Sequence, residues 1–403
     1  MAEVGTERPG ISLGPKQFIA LMAALMTMTA IATDINLPAI AATAADLQAP
    51  LSSGQLTITL FFLGYAVGQL FWGPCADRFG RKPALMAGIA IYVASSLACA
   101  FAPDMKMLLL ARFVQGVGGG AGAIISRVMI RDLFEGAPMA RMMSLVLAAF
   151  ITAPIVAPSI GAMIQKLGSW RLIFIFLVSY GLVLLVLAWR FLPESIRHYQ
   201  PDALSPSRLV AGYVALAGQR ASLSATLVVA FAYAILNVYL TNAPAIFMVA
   251  HGMDEQSFAI GFSVVAASSA IGNLANARLC RFMALRSVIL IGLCGVLAAA
   301  LLLLVTDRFF PGSGWALVPG FCILLIFYGF ILANATALAM QGHGGMVGAI
   351  SSSLGVIQTA IAAFFGALAA FLFDGTARPA LLTILGCVLL CLATFRWIAR
   401  QSA

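Results

Sequence analysis

The sequence predicts an all-α membrane protein of roughly twelve transmembrane helices, arranged as two pseudo-symmetric halves of equal helix number. The 403-residue chain is 62% hydrophobic and only 9% charged, with a mean hydropathy of +1.02. Soluble domains carry about 25% charged residues. The apolar residues fall into runs of about 20, each long enough to cross a bilayer. Equal numbers of runs flank the longest polar link, and a weak echo of one short motif recurs in the second half. No room remains for a soluble domain.

The expected spans are 17–40, 55–73, 83–102, 107–130, 140–165 and 171–192, then 223–248, 257–278, 286–305, 316–338, 346–372 and 379–397. Residues 1–192 make the first half, with a polar tail over 1–15 that lacks a cleavable-signal pattern. Residues 193–222 are a linker holding Pro193, Pro201 and Pro206, and 223–403 make the second half. Within the linker, Arg208–Gln219 has the character of a helix lying on the membrane surface. Basic residues fall mainly on one side: Arg8, Lys16, Arg78, Arg81, Lys82, Arg131, Arg141, Arg190, Arg197, Arg208, Arg220, Arg278, Arg281, Arg286, Arg396 and Arg400 against Lys106, Lys166, Arg171, Arg308 and Arg378. That bias places the tail, the linker and both termini in the cytoplasm. The net charge of +9 therefore serves orientation rather than nucleic-acid binding, since the basic residues are scattered through short links. The seven cysteines lie in or beside spans, so no disulfide framework is expected.

Taken in order, the first span is apolar until Asp34, and the second carries Tyr65 and Gln69. Between the second and third spans lies Gly73-Pro74-Cys75-Ala76-Asp77-Arg78-Phe79-Gly80-Arg81-Lys82, whose glycines and proline suit a tight reversal. The fourth span carries Arg112, Gln115 and the close-packing residues Gly116 and Gly120, and ends at Arg127, Arg131 and Asp132. The fifth contains Pro154 and Pro158, which predict a bent helix. In the second half, Gly272 to Arg281 echoes Gly73 to Arg81, with Asn276 at the Asp77 position.

Asp34 is the carboxylate placed well inside a span, where an ionised acid costs about 2.5–3.5 kcal/mol on insertion scales. Arg112 lies at matching depth, about 9 Å below the outer boundary, and is the expected partner. Two readings remain open: a group that binds and releases a proton as a cavity opens and closes, or a permanent structural ion pair. The expected substrate cavity is lined by Asp34, Leu37, Tyr65, Arg112, Gln115, Asn237, Asn334 and Gln358. One acid, one arginine and a few amides suit small lipophilic, neutral or zwitterionic molecules better than sugars or polyanions. Met248, His251 and Met253, and Met340, His343 and Met346, form no complete metal-ligand set. No hydrolase constellation is visible, so an enzyme is not expected.

The stretch from Gly73 to Lys82 closely resembles the signature loop of the major facilitator superfamily, Gly-x-x-x-Asp-Arg-x-Gly-Arg-Arg/Lys. Thr33-Asp34-Ile35-Asn36-Leu37-Pro38-Ala39, Arg112-Phe113-Val114-Gln115-Gly116, Ala153-Pro154 to Ala157-Pro158 with Gly161, Trp170-Arg171, Leu192-Pro193-Glu194 and Asn276-Ala277-Arg278 are similar to the Bcr/CflA-type drug-resistance branch. That branch includes bicyclomycin and phenicol exporters. The resemblance implies that Asp34 is a proton site with Arg112 as its coupled partner. It implies a cytoplasmic gate built from Gly73, Asp77, Arg78, Gly80, Arg81, Lys82, Arg131 and Asp132, and an antiporter motif at Ala153, Pro154, Ala157, Pro158 and Gly161. That motif departs from the family's glycine-rich form at Ala153, Ala157 and Ala162. Met26 stands where some multidrug relatives carry a second acid. The implied protein is a monomeric efflux antiporter of a bacterial inner membrane, driven by the proton gradient without a cofactor, its partners being substrate, protons and lipid. A metabolite carrier or importer of the same fold is the alternative.

Overall fold

The computed structural model describes residues 13–134, 136–196, 199–205, 214, 218, 220–340 and 347–399. Residues 1–12 of the expected tail, all but Val214 and Gly218 of the surface helix, and His198, His343 and Met346 lie outside them.

The first half contains α1 (Pro15–Asp34), a 3-10 turn at Leu37–Ala39, α2 (Ile40–Asp46), α3 (Leu51–Phe79), α4 (Arg81–Ala100), α5 (Met105–Leu133), α6 (Gly136–Gln165) and α7 (Arg171–Phe191). The second contains α8 (Arg220–Pro244) with a π turn at Ala245–Ala250, α9 (Glu255–Leu279) and α10 (Leu285–Phe309). It continues with α11 (Gly314–Tyr328), α12 (Leu332–Met340), α13 (Val347–Phe371) and α14 (Arg378–Ala399). Among the described residues eleven helical stretches are long and apolar enough to cross a membrane. The 30-residue α6 is a further long helix, at the place of the fifth expected span. We call the side where α1 begins and α14 ends the near face, and the other the far face.

Some helix ends follow from single residues. Asp104 caps α5 by accepting the Met107 N–H at 2.8 Å. Asp254 caps α9 by accepting the N–H groups of Gln256 and Ser257. Those bonds, led by that from Ser257, hold its carboxyl below its ordinary value.

The structure corrects three sequence expectations. The link at 73–82 is not a ten-residue turn: α3 runs through Pro74 to Phe79 and α4 opens at Arg81. Gly80 alone makes the reversal, at φ 106°, a conformation that side chains rarely adopt. The first span is not one helix, because α1 stops at Asp34 and Pro38 allows only a 3-10 turn before α2. The fourth span of the second half divides into α11 and α12, with 3-10-type bonds from Phe330 to Phe327 and from Ile331 to Tyr328.

Each half encloses an apolar core. Phe18, Phe61, Trp72, Tyr92 and Phe174 lie in the first. The second is built around Tyr239, which stacks on Phe262 with ring centroids 5.5 Å apart. Leu37, Ile58, Phe62 and Tyr65 of the first half join that second core, so it extends across the seam between the halves. In lipid no hydrophobic force holds helices together, and close packing takes its place. Gly64 of α3 lies on the carbonyl of Phe113 in α5, while Gly116 of α5 lies on the carbonyl of Phe61 in α3. Outward, Phe71, Leu97, Leu110, Val183, Leu302 and Phe364 are exposed, as a bilayer-facing belt requires.

Candidate functional site

At the near face the signature residues form a charged network. Arg81 is paired with Asp77 and donates its Nε to Asp132 Oδ2 at 3.0 Å. Glu194, just beyond α7, accepts the backbone N–H groups of Arg81 at 2.9 Å and Lys82 at 3.1 Å. It thereby seats a carboxylate on the N-terminus of α4. A Cβ on Gly80 would meet Glu194 Oε2 at 2.6 Å, so a glycine there admits the carboxylate as well as the turn. Lys82 Nζ donates to the Trp189 carbonyl at 2.8 Å, and Gln200 N–H to the Asp77 carbonyl at 2.9 Å. The network joins α3, α4 and α5 of the first half to the start of the linker after α7. Gly73 faces open space, Arg78 lies over the Phe79 ring, and Arg131 is exposed. These three are not drawn into it.

Asp34 is 3% exposed and ends α1 immediately before the break. Thr33 Oγ1 donates to its Oδ1 at 3.1 Å. The 3-10 turn that follows it packs against α8 and α9 of the second half, so the acid sits at the seam. Leu37, three residues on, is buried in the same seam, as is Tyr65.

The expected contact between Asp34 and Arg112 is absent among the described residues. Arg112 is fully buried inside the first half, where Nη1 donates to Gln115 Oε1 at 2.6 Å and to the Ala32 carbonyl at 3.2 Å. Its Nε approaches the Thr57 carbonyl at 3.4 Å, and Gln115 passes the chain to Ser96 Oγ at 2.7 Å. The guanidinium lies 4.6 Å over the Phe61 ring. Arg112 thus ties α1, α3, α4 and α5 together, holding the last turn of α1 two residues before Asp34. Its buried Nη2 has no partner among the described residues. Matching depth alone could not predict which way the side chain turns.

Asn237 and Asn334 part company. Asn237, on α8, is buried, accepts from Thr241 Oγ1 at 3.3 Å and keeps an unpartnered Nδ2. Asn334 instead donates to Asn276 Oδ1 at 2.7 Å, bridging α12 to α9 near the near face. It belongs to an uncharged counterpart of the near-face network rather than to the seam. Gln358 is half-buried on α13.

The antiporter-motif residues lie along the other seam, between α6 and α9. Ala157, Pro158 and Gly161 are buried, Ala153 and Pro154 half-buried. Gly161 rests on the carbonyl of Ile35, the residue after Asp34. The Ile155 carbonyl, beside Pro154, accepts from Ser263 Oγ of α9 at 2.6 Å.

Sequence reasoning missed the far-face contacts that join the halves. Gln55 donates to Asn242 at 2.9 Å, Gln165 to Glu255 at 2.7 Å and Lys166 to Gln256 at 2.7 Å. Their partners lie about 90 to 190 positions apart, and single amides carry no pattern that pairs them.

The chain matches the Major Facilitator Superfamily over residues 19–367. It is 26% identical over 385 residues to the bicyclomycin resistance protein homolog of Haemophilus influenzae, covering 96% of both chains. It is 28% identical over 327 residues to the chloramphenicol resistance protein of Pseudomonas aeruginosa, covering 80% of this chain and 75% of that one. A solved bacterial homolog of the human lysosomal transporter Spinster, inward-facing and unoccupied, has a TM-score of 0.74 at 14% identity, covering 96% of this chain and 97% of that one. At that identity the likeness is one of fold. Signature network and sequence kinship agree: the chain belongs to the Major Facilitator Superfamily and is a multi-pass membrane transporter.

Proposed function

We propose that this transporter is a proton-coupled antiporter that exports small lipophilic, neutral or zwitterionic compounds by alternating access. The membrane would be a bacterial inner membrane, with the near face cytoplasmic, as the basic residues of its links favour. The observation that carries the reading is Asp34: a buried carboxyl at the seam between the halves, beside a helix break, with no cation on it among the described residues. A buried acid of that kind needs a proton or a charged partner to be neutralised. When the seam opens to water, the proton can leave. The ionised carboxylate then has the Nη2 of Arg112 to turn toward, which is without a partner among the described residues and belongs to the arginine whose Nη1 holds the Ala32 carbonyl, two residues before Asp34. Proton release and a change in the end of α1 become one event. The Tyr239 hydroxyl of α8, buried and without a partner among the described residues, supplies a hydrogen bond for a substrate entering the seam. One acid and few donors among aromatic walls favour compounds with few polar groups.

The test uses purified protein in liposomes with an internal pH dye and an imposed proton gradient. Chloramphenicol, bicyclomycin and a lipophilic cation are added in turn, with Asp34→Asn alongside. Proton flux opposite to the compound, silent in Asp34→Asn, is the expected result. Flux of proton and compound in the same direction would make the chain an importer. Undiminished coupling in Asp34→Asn would remove Asp34 from the mechanism.

A further inference from the structure

At the far face of the second half, away from Asp34, the ring of His251 is wedged between two hydrogen-bond acceptors. Its Nδ1 lies 2.7 Å from the Ile246 carbonyl, and its Nε2 lies 3.3 Å from Asp307 Oδ1. Both side chains are largely enclosed, at 2% and 9% exposure. A carbonyl can only accept, so Nδ1 must carry a hydrogen. A neutral imidazole then has no hydrogen left on Nε2, which would set a lone pair against a carboxylate. The contact is satisfied only when a further proton lies between the ring and Asp307, on either partner. We propose that His251 and Asp307 form a proton-binding site distinct from Asp34, loaded from the far face.

The elements around the pair give the loading a mechanical consequence. Ile246 belongs to the π turn Ala245–Ala250, the wide turn that ends α8, and such turns are frequent at functional sites. Met253 N–H closes the same turn on the Phe247 carbonyl at 2.9 Å. Asp307 lies in the last turn of α10, and its other oxygen lies 3.7 Å from Arg378 Nε at the start of α14. The loaded pair therefore fastens the far ends of α8, α10 and α14 to one another. Other charged groups nearby are engaged or turned away. Asp374 holds Thr376, Asp254 caps α9, and Arg308 is exposed. Among the described residues Arg378 is the one cation on the carboxylate apart from His251 itself, and at 59% exposure it is screened by water. The turn lies just beyond Asn242, whose bond from Gln55 joins the halves. A bound proton stiffens the segment against which that seal is made.

Hydrogen exchange of residues 246–253 in the purified protein, between about pH 5.5 and 8.5 and corrected for intrinsic rates, reads the site directly. Protection of this segment should rise about tenfold toward acid, the worth of one hydrogen bond to a charged group. Asp307→Asn is the decisive variant, because an amide can donate to Nε2 and satisfy the ring without an added proton. It should keep protection high and make it independent of pH. His251→Phe should lose protection throughout. A wild-type profile without pH dependence would overturn the proposal. So would an Asp307→Asn profile that matches the wild type.

Discussion

Within the signature stretch, two glycines that look equivalent in sequence have opposite surroundings. Gly80 combines a φ of 106° with the Glu194 carboxylate where a Cβ would go, whereas nothing lies within 4 Å of Gly73. Gly80→Ala should therefore cost about 1–3 kcal/mol from backbone strain, with more from displacing Glu194. Gly73→Ala should leave the thermal midpoint unchanged, and melting the two variants side by side in detergent checks both. Arg112 gives a second residue-scale expectation. Lysine cannot reproduce a fork that reaches Gln115, Ala32 and Thr57 at once, nor its stacking on Phe61. Arg112→Lys should lower stability by about 3 kcal/mol, since buried acceptors lose a charged donor. An unchanged midpoint would mean that the arginine does not brace the first half.

At the scale of elements, α3 and α5 cross with each helix's glycine on the other's backbone, Gly64 on Phe113 and Gly116 on Phe61. Gly116→Ala should push the helices apart and cost more than Gly120→Ala, whose added Cβ would find its first neighbour at 3.5 Å. Relative yield and melting of the two variants distinguish them. The crossing was half legible in sequence: the glycine run on the fourth span marks it as a packing helix, yet spacing does not say which glycine meets which carbonyl. Helix positions were legible for a stronger reason, since a bilayer demands apolar runs of fixed length and the chain obeys. The breaks were not. Pro38 and Gly329 sit inside apolar runs, and hydropathy is blind to the backbone bonds lost at Asp34 and Tyr328. The site shared this limit. Asp34 stood out because a buried acid is costly in any arrangement. The direction of Arg112, the grouping of Asn334 with Asn276 and the capping role of Glu194 depend on side-chain geometry that residue type leaves free.

Across the whole molecule, the far-face bonds Gln55 to Asn242, Gln165 to Glu255 and Lys166 to Gln256 hold the halves together. Removing one buried bond of this kind should shift the balance toward a far-face opening by about 1 kcal/mol, roughly fivefold in population. The measurement is the rate at which a membrane-impermeant maleimide, added from the far side, labels Leu37→Cys in a chain whose native cysteines are replaced. Gln55→Leu should raise that rate about fivefold, and an unchanged rate would mean the bond does not seal the seam.

The two near-face networks differ in one respect with a consequence for the environment. In the first half the contact runs through Arg81, Asp77, Asp132 and Glu194. At the corresponding place in the second, Asn276 and Asn334 meet as neutral amides. Ions in the surrounding water reach the first through the half-exposed Asp77 and weaken it modestly, since Arg81 is buried, and leave the second untouched. The transporter is thus lopsided in its response to salt, and a change in salt biases the motion of one half alone.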